Sequence, residues 1–230
     1  MRLPEELKLS GKLLRTIFFE TLRGKSLGRT LMNCCLSEFE LTGDIIDLGS
    51  GLERASYYRF IKFREPYKLT YSDYYKTGTN IIKLDLEKPF PLEHDIFDCV
   101  MCFNVLEHVY SFGNVVKESY RILKKGGLFI GSTPFMQGFH PDPHDYFRYS
   151  HESLLKIFEE ANYVCLRMVY LGFGPFSLSI AHWVTLVPKI LKPWPVLPCL
   201  LLDMVLNKFS RSSRMKYLLG YVFAFQKPDN

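Results

Sequence analysis

The chain reads as an α/β protein: a doubly wound, mostly parallel sheet of seven strands, its last strand antiparallel, carrying a helical apolar insert. Three observations predict this. Strand-like and helix-like patterns alternate from residue 44 to the C-terminus, the order that builds parallel sheets through crossover helices. Acidic or amide residues recur where those strands end, at Asp47, Asp73, Asp85 and Asn104. A length of 230 residues suits one such domain with a single appendage.

The elements follow in order. Residues 1–40 form a leading unit of one or two helices, because Leu13, Leu14, Ile17, Phe18 and Leu22 recur at helical spacing, with Gly24 and Gly28 as interruptions. The core spans 41–171 and 217–230. Within it "DIIDLGS" is a strand leading into a glycine loop and a short helix, "YKLTYSD" a second strand and "NIIKLDL" a weaker third. "FDCVMCF" is a buried fourth strand. "VVKESYRILKKGG" reads as a helix with Lys124 and Lys125 in its last turn and glycine beyond. "GLFIGSTPF" is the fifth strand, and "ESLLKIFEEANY" a helix whose Leu154, Leu155 and Phe158 share a face behind an N-cap at Ser150. "VCLRMVYLG" and "GYVFAFQK" close the sheet, separated by an apolar insert, 172–216.

Composition narrows the classes. A hydrophobic share of 47% excludes disorder. The formal charge of +5 is concentrated late: from Tyr170 onward seven Lys/Arg stand against two acids. A basic tail beside apolar sequence suits an anionic membrane face or anionic substrate better than nucleic acid, and no arginine-rich arm is present. Cys99 and Cys102 have C-x-x-C spacing, but three residues apart on a strand they face opposite ways. All six cysteines therefore read as reduced thiols of a cytoplasmic protein. The opening "MRLPEELKLSGKLL", with early acids and no uninterrupted apolar stretch, does not read as a secretory signal.

In a doubly wound sheet the ligand crevice lies beyond the carboxyl ends of the strands, where strand order reverses. That brings Gly49–Gly51, Asp73, Asp85, Asn104 and the loop after Pro134 together. Gly49 and Gly51 allow close backbone approach to a ligand, and Asp47 orients the loop or meets a cationic group. The third glycine of familiar nucleotide loops is missing: Glu53 and Arg54 stand in its two usual places, and Arg54 counts against a dinucleotide. Taken singly, the loop also fits a plain turn, and Asp73 and Asp85 fit turn aspartates; their convergence favours a site. In "GFHPDPHDYFRYS", His140 and His144 stand four apart, but Pro141 and Pro143 exclude the helix that would pair them. No metal is expected there.

"DLGSG", "YSD", "LDLEKPFP", "FDCVMCFNVLEHV" and "ESYRILKKGGLFIGSTPF" occur in an order and spacing that resemble class I S-adenosylmethionine-dependent methyltransferases, particularly the type 11 group. The resemblance covers about residues 40–165 and the closing strand. It implies a Rossmann-like fold, S-adenosylmethionine as cofactor, and a cofactor site of Asp47, Gly49, Ser50, Gly51, Asp73, Asp85, Leu86 and Asn104. Gly49, Ser50 and Gly51 would line the methionine part, Asp73 the ribose, Asp85 with Leu86 the adenine, and Asn104 the sulfonium region; Glu53 departs from the family loop. The segment containing His140, Pro143, Asp145, Tyr146, Arg148, Tyr149 and Ser150 resembles a subgroup that accompanies glycan-assembly enzymes. The expected reaction is methyl transfer to oxygen of a small, glycan-like or lipid-linked acceptor. His140, then His144, with Asp145, are the expected catalytic residues; Tyr146, Arg148 and His108 are the expected acceptor contacts. Asp145 and Arg148 equally fit a pair that only stiffens the loop. A cofactor-binding protein without catalysis and a membrane-associated scaffold are the competing classes.

The insert has two readings. Pro188, Pro193, Pro195 and Pro198, with Lys189 and Lys192, break it into short pieces, giving a lid over the acceptor or a patch resting on a membrane. Lys208, Arg211, Arg214 and Lys216 beside it favour peripheral contact with the inner face of an anionic membrane.

Overall fold

The computed structural model describes residues 4–50, 55–209 and 213–229. Its eight strands are β1 (Glu5–Glu6), β2 (Glu40–Asp47), β3 (Lys62–Asp73), β4 (Ile81–Lys83), β5 (Phe97–Phe103), β6 (Leu123–Pro134), β7 (Val164–Leu171) and β8 (Gly220–Gln226). They form one sheet in the order β1-β7-β8-β6-β5-β2-β3-β4. Strand β8 runs antiparallel to β6 and β7, and every other pairing is parallel. The order reverses between β2 and β5, which fixes where a crevice must open.

Each face of the sheet carries its own core. Helices α1 (Gly11–Leu22) and α2 (Leu27–Leu36), with part of the insert, cover one side; α3 (Phe112–Ile122) and α4 (His151–Glu160) cover the other. Strand β5 lies between them and is apolar except at Asp98, because both its faces are otherwise buried. Cys99, Met101 and Phe103 enter the first core, and Val100 and Cys102 the second. The C-x-x-C pair is thus split across the sheet, as strand periodicity requires, and both thiols are free. Serines start three of the helices: Ser10, Ser26 and Ser150 accept from Leu13, Arg29 and Ser153 backbone N–H at 3.2 Å each. On the α4 side, Phe158 stacks on Phe225 with ring centroids 4.1 Å apart.

Three expectations change. Glu5–Glu6 form an eighth, edge strand rather than a helix start; Glu5 aligns with Val169 and pairs with Arg167 at 2.9 Å. Its partner lies some 160 positions along the chain, beyond the reach of local periodicity. The helix after β5 ends at Ile122, so Lys124 and Lys125 lie on β6 and not in a last helical turn. Leu123 aligns with Phe97, and Lys124 Nζ bridges Asp98 at 2.7 Å and Asp44 at 3.3 Å; strand pairing overrides the helical pattern there. Within the insert, α5 (Pro175–Trp183) is followed by α6, which runs unbroken from Pro193 to Phe209 through Pro195 and Pro198. Pro193 and Pro195 lie in the first turn and cost no hydrogen bond, because those amides have no intrahelical partner; Pro198 lies inside the helix and forgoes one. The buried Asp203 of α6 accepts from Phe176 N at 3.0 Å and Ser177 N at 2.7 Å, capping α5 and fastening the two helices together. A last short helix, α7, spans Ser213–Lys216. Gly51, Glu53, Arg54 and Arg211 lie outside the described residues, as does the side chain of Arg214.

Candidate active site

Two hollows open at the carboxyl edge of the sheet and share Asn104 as a wall. The larger, a cleft of about 690 Å³, is lined by Gly49, Asp73, Asp85, Leu86 and Asn104 together with His108, His144 and Tyr146. Tyr74, Tyr75 and Tyr110 add an aromatic rim. The smaller, about 160 Å³, is lined by Ser26, Arg29, Asn104, Thr133, Gln137 and His140 among others. Five of the eight predicted cofactor residues therefore line one cleft; Asp47 and Ser50 are not in its lining, Gly51 lies outside the described residues, and His140 faces the second hollow.

Asp47 is fully buried at the end of β2, before the loop of Gly49. One carboxylate oxygen accepts from Tyr57 Oη at 2.6 Å and Tyr58 Oη at 2.5 Å; the other has no hydrogen-bond partner among the described residues. Burial raises its pKa to about 7, against the lowering effect of the two tyrosines. Above it Gly49 has φ +68°, and a Cβ there would come within 2.9 Å of Val105 Cγ2. Only glycine lets the loop pass this close to Val105, in the turn after β5. Ser50 Oγ donates to Asp47 O at 3.3 Å.

Asp73 Oδ1 accepts from the backbone of Tyr75 at 2.8 Å and Lys76 at 2.9 Å, which holds the carboxylate at the lip. Asp85 accepts from Glu87 N at 3.0 Å and pairs with Lys88 at 3.0 Å. Asn104 sits in the left-handed region at φ +54°, a conformation asparagine tolerates best among larger residues. Its N–H donates to Ser132 O at 2.9 Å and its Oδ1 accepts from Ser132 Oγ at 2.8 Å, so β6 fixes it at the wall between the hollows.

The loop from Gly138 to Ser150 docks on the turn that contains Glu107. Tyr146 N donates to Glu107 O at 2.8 Å, and Tyr149 Oη to Leu106 O at 3.1 Å. Arg148 grips both oxygens of the buried Asp145, at 2.5 and 2.7 Å, and His140 N donates to Asp145 Oδ2 at 2.9 Å. The Arg148 guanidinium holds the Asp145 carboxyl well below the usual carboxylate range. Asp145 is thus the tie under His140, unsuited to take a proton, and Arg148 is committed to it. Tyr146 and His144 face the larger cleft, with their rings 5.3 Å apart.

Two residues gain a meaning the sequence does not convey. Glu107 is wholly buried with neither oxygen hydrogen-bonded among the described residues, and burial raises its pKa to about 8. Its Oε1 lies 3.8 Å from His108 Nε2 and 4.0 Å from His140 Nε2. Arg29, on a helix legible only by its apolar face, turns into the smaller hollow; its guanidinium has no ion pair among the described residues, and burial lowers its pKa. No local pattern marks Arg29, because the hollow exists only where α2 crosses the strand ends.

Comparison with known proteins agrees with this geometry. Residues 62–131 match the methyltransferase domain family called Methyltransf_11. No curated protein matches the chain in sequence. Among solved structures, a Burkholderia thailandensis 1,6-didemethyltoxoflavin-N1-methyltransferase with bound substrate and S-adenosylhomocysteine has a TM-score of 0.54 at 12% identity, covering 98% of this chain and 94% of its own. A Haemonchus contortus phosphoethanolamine N-methyltransferase 2 in complex with S-adenosyl-L-methionine gives 0.53 at 11%, covering 85% of this chain and 52% of its own. The [4+2]-cyclase SpnF gives 0.57 at 13%, covering 95% and 94%. At these identities the structures attest the fold alone. The residues present suit S-adenosylmethionine: Gly49 on the cleft wall where a Cβ would meet Val105, a buried Asp47 oxygen without a hydrogen-bond partner among the described residues, and an acidic lip at Asp73. Residues 62–131 thus carry a match to a methyltransferase domain, and the chain shares the fold of these solved structures, with a cleft at the carboxyl edge of its sheet.

Proposed function

We propose that the protein transfers the methyl group to a hydroxyl of a small, polar, anionic acceptor carried on a lipid. The observation that supports this most is the smaller hollow. It meets the cofactor cleft at Asn104, its wall is polar, and Arg29 brings to it a cation with no ion-pair partner among the described residues. A glycan or phosphate-bearing group fits that lining better than an apolar ring.

Bound in the larger cleft, the cofactor supplies a methyl already activated on a sulfonium. Asp73 would hold the ribose and Asp85 with Leu86 the adenine; Asp47 and the loop at Gly49 would hold the methionine end. The remaining work is alignment, worth several kcal/mol when reacting atoms are held in line. Asn104 sets the junction. His140 Nδ1 donates to Gly138 O at 2.9 Å, which leaves Nε2 as the basic atom to take the acceptor's hydroxyl proton.

The insert supports the lipid part of the reading. It leaves and rejoins the core beside the smaller hollow, since Leu171 and Leu219 line that hollow. Within Lys189–Phe209 an 18-residue window has a mean hydropathy of 1.3, and only 22% of it is buried. Val196, Leu200 and Asp203 are packed into the protein, so α6 is fastened on one side and would rest on a bilayer rather than cross it. Trp183, Ile190, Trp194, Leu201, Val205 and Phe209 are exposed around it.

The test is transfer of isotope-labelled methyl from S-adenosylmethionine to a panel of free sugars, sugar phosphates and lipid-linked glycans, with the product position read by NMR. Labelled O-methyl product on the lipid-linked acceptors is expected. Labelling only on nitrogen, or none despite cofactor binding, overturns the reading.

A further inference from the structure

We propose that Glu107, His108 and His140 bind a divalent first-row transition-metal ion at the wall between the two hollows. Their ligand atoms all lie within 4.8 Å of one another. The three come from two segments, the turn after β5 and the loop after β6, so no sequence spacing announces them.

The hydrogen bonds around the two rings set which nitrogens are free. His108 Nδ1 donates to His144 O at 2.5 Å, and His140 Nδ1 donates to Gly138 O at 2.9 Å. A carbonyl can only accept, so each neutral ring carries its proton on Nδ1 and presents a bare lone pair at Nε2. Arg148 Nη2 also approaches His140 Nδ1, but at 3.4 Å and with Asp145 as its nearer acceptor, it does not decide the tautomer. Backbone-anchored Nδ1–H groups with Nε2 outward are the usual second layer of a histidine metal site. Both Nε2 atoms turn to the same oxygen, Glu107 Oε1, at 3.8 and 4.0 Å.

Glu107 makes the cluster more than a coincidence of neighbours. Its side chain is fully buried, and neither oxygen has a hydrogen-bond partner among the described residues. A buried carboxylate without partners is costly, and a cation at this point would satisfy it. The neighbouring cations do not: Arg148 is taken up by Asp145, and Arg29 makes no ion pair with Glu107. Metal–ligand bonds of about 2.1 Å separate ligand atoms by roughly 3 to 3.5 Å. With its ligand atoms spread over as much as 4.8 Å, the trio needs to contract by roughly 0.5 to 1.5 Å, and His140, on a loop and 37% exposed, has room to move.

Two imidazoles and one carboxylate select a manganese-, iron-, cobalt- or zinc-type ion over magnesium or calcium, which prefer oxygen alone. Three protein ligands leave coordination positions open. Because His140 lines the smaller hollow and His108 the cleft, those positions face the junction at Asn104. Resting on the methyl-transfer reading, the consequence is that an acceptor hydroxyl binds the ion there, and the ion, in place of His140 as base, makes that hydroxyl acidic enough to shed its proton to water.

The test uses the full chain, freed of metal with a chelator and titrated with Co²⁺, Mn²⁺, Zn²⁺ and Mg²⁺ by calorimetry, with the visible bands of Co²⁺ as a direct report of imidazole ligation. One equivalent of Co²⁺ or Zn²⁺ should bind, with Mg²⁺ at least about ten-fold weaker. Glu107→Gln, His108→Ala and His140→Ala should each lose about ten-fold or more of that affinity, while His182→Ala, a surface histidine on α5, keeps it. Circular dichroism and S-adenosylhomocysteine titration of the same variants report folding and cofactor binding separately. Absence of Co²⁺ and Zn²⁺ binding at millimolar concentration, or binding that survives Glu107→Gln, overturns the proposal and leaves the methyl-transfer reading standing. Metal binding with no methyl transfer to any acceptor sinks that reading instead.

Discussion

Arg148 holds both carboxylate oxygens of Asp145, and Asp145 in turn accepts the backbone N–H of His140. A buried pair of this kind is worth little against an apolar substitute but is expensive to halve, at about 3–5 kcal/mol. Arg148→Ala should therefore destabilise the protein by roughly 3 kcal/mol, the lower end because the guanidinium is partly exposed. Urea denaturation measures this. Arg148→Lys should not restore stability, since an ammonium cannot reproduce the two-pronged contact; full rescue by lysine would show that charge alone matters.

Asp73 can be tested without disturbing its turn. Oδ1 caps two backbone amides, and an asparagine keeps that oxygen while removing the charge. Asp73→Asn should weaken S-adenosylhomocysteine binding by about ten- to a hundred-fold, the loss of roughly 1.5–3 kcal/mol expected for hydrogen bonds to a charged group. Its unfolding midpoint should be unchanged. Calorimetric affinity equal to wild type would remove Asp73 from the ribose site.

Arg29 should separate acceptor from cofactor. Arg29→Met keeps the apolar stem and removes the cation from the smaller hollow, so KM for an anionic acceptor should rise about ten-fold or more. The affinity for S-adenosylhomocysteine should stay within about two-fold, since Arg29 lines only the smaller hollow. Steady-state kinetics beside a binding titration read the two effects apart.

Asp47 gives a pH signature. Burial raises its folded pKa from 3.8 to about 7, so the folded state holds this proton more tightly than the unfolded chain does. The stabilising contribution is fully present below about pH 4 and is lost as pH rises through about 7. Denaturation of the cofactor-free protein at several pH values should show wild type losing stability relative to Asp47→Asn across that window. A difference that stays flat from pH 4 to 7 would mean that Asp47 is ionised throughout.

The exposed face of α6 should decide membrane contact. Leu201, Leu202, Val205 and Phe209 share one side of the helix and are exposed. Replacing all four by serine should abolish flotation with anionic vesicles at low salt while leaving the unfolding midpoint near wild type. No flotation of the wild-type protein would exclude the membrane reading.

Much of this protein was legible in the chain itself. Strand β5 is recognisable because a strand buried on both faces is nearly all apolar, here broken only by Asp98, and "FDCVMCF" matches Phe97–Phe103 at both ends. The cap at Ser150 and the acids at the ends of β2 and β3 follow from local chemistry, because a helix start or strand end makes its demands within a few residues. The tertiary structure alone decided the rest. It paired Glu5–Glu6 with β7, drew Leu123 out of a helical pattern into β6, and carried α6 through its prolines against α1 and α5. It also turned Arg29 into a hollow and brought Glu107, His108 and His140 together. Periodicity records which side of an element is buried; it carries no information on what that side meets. Contacts between segments distant in sequence are set by sheet order and crossing helices, and the chemistry of this site rests on such contacts.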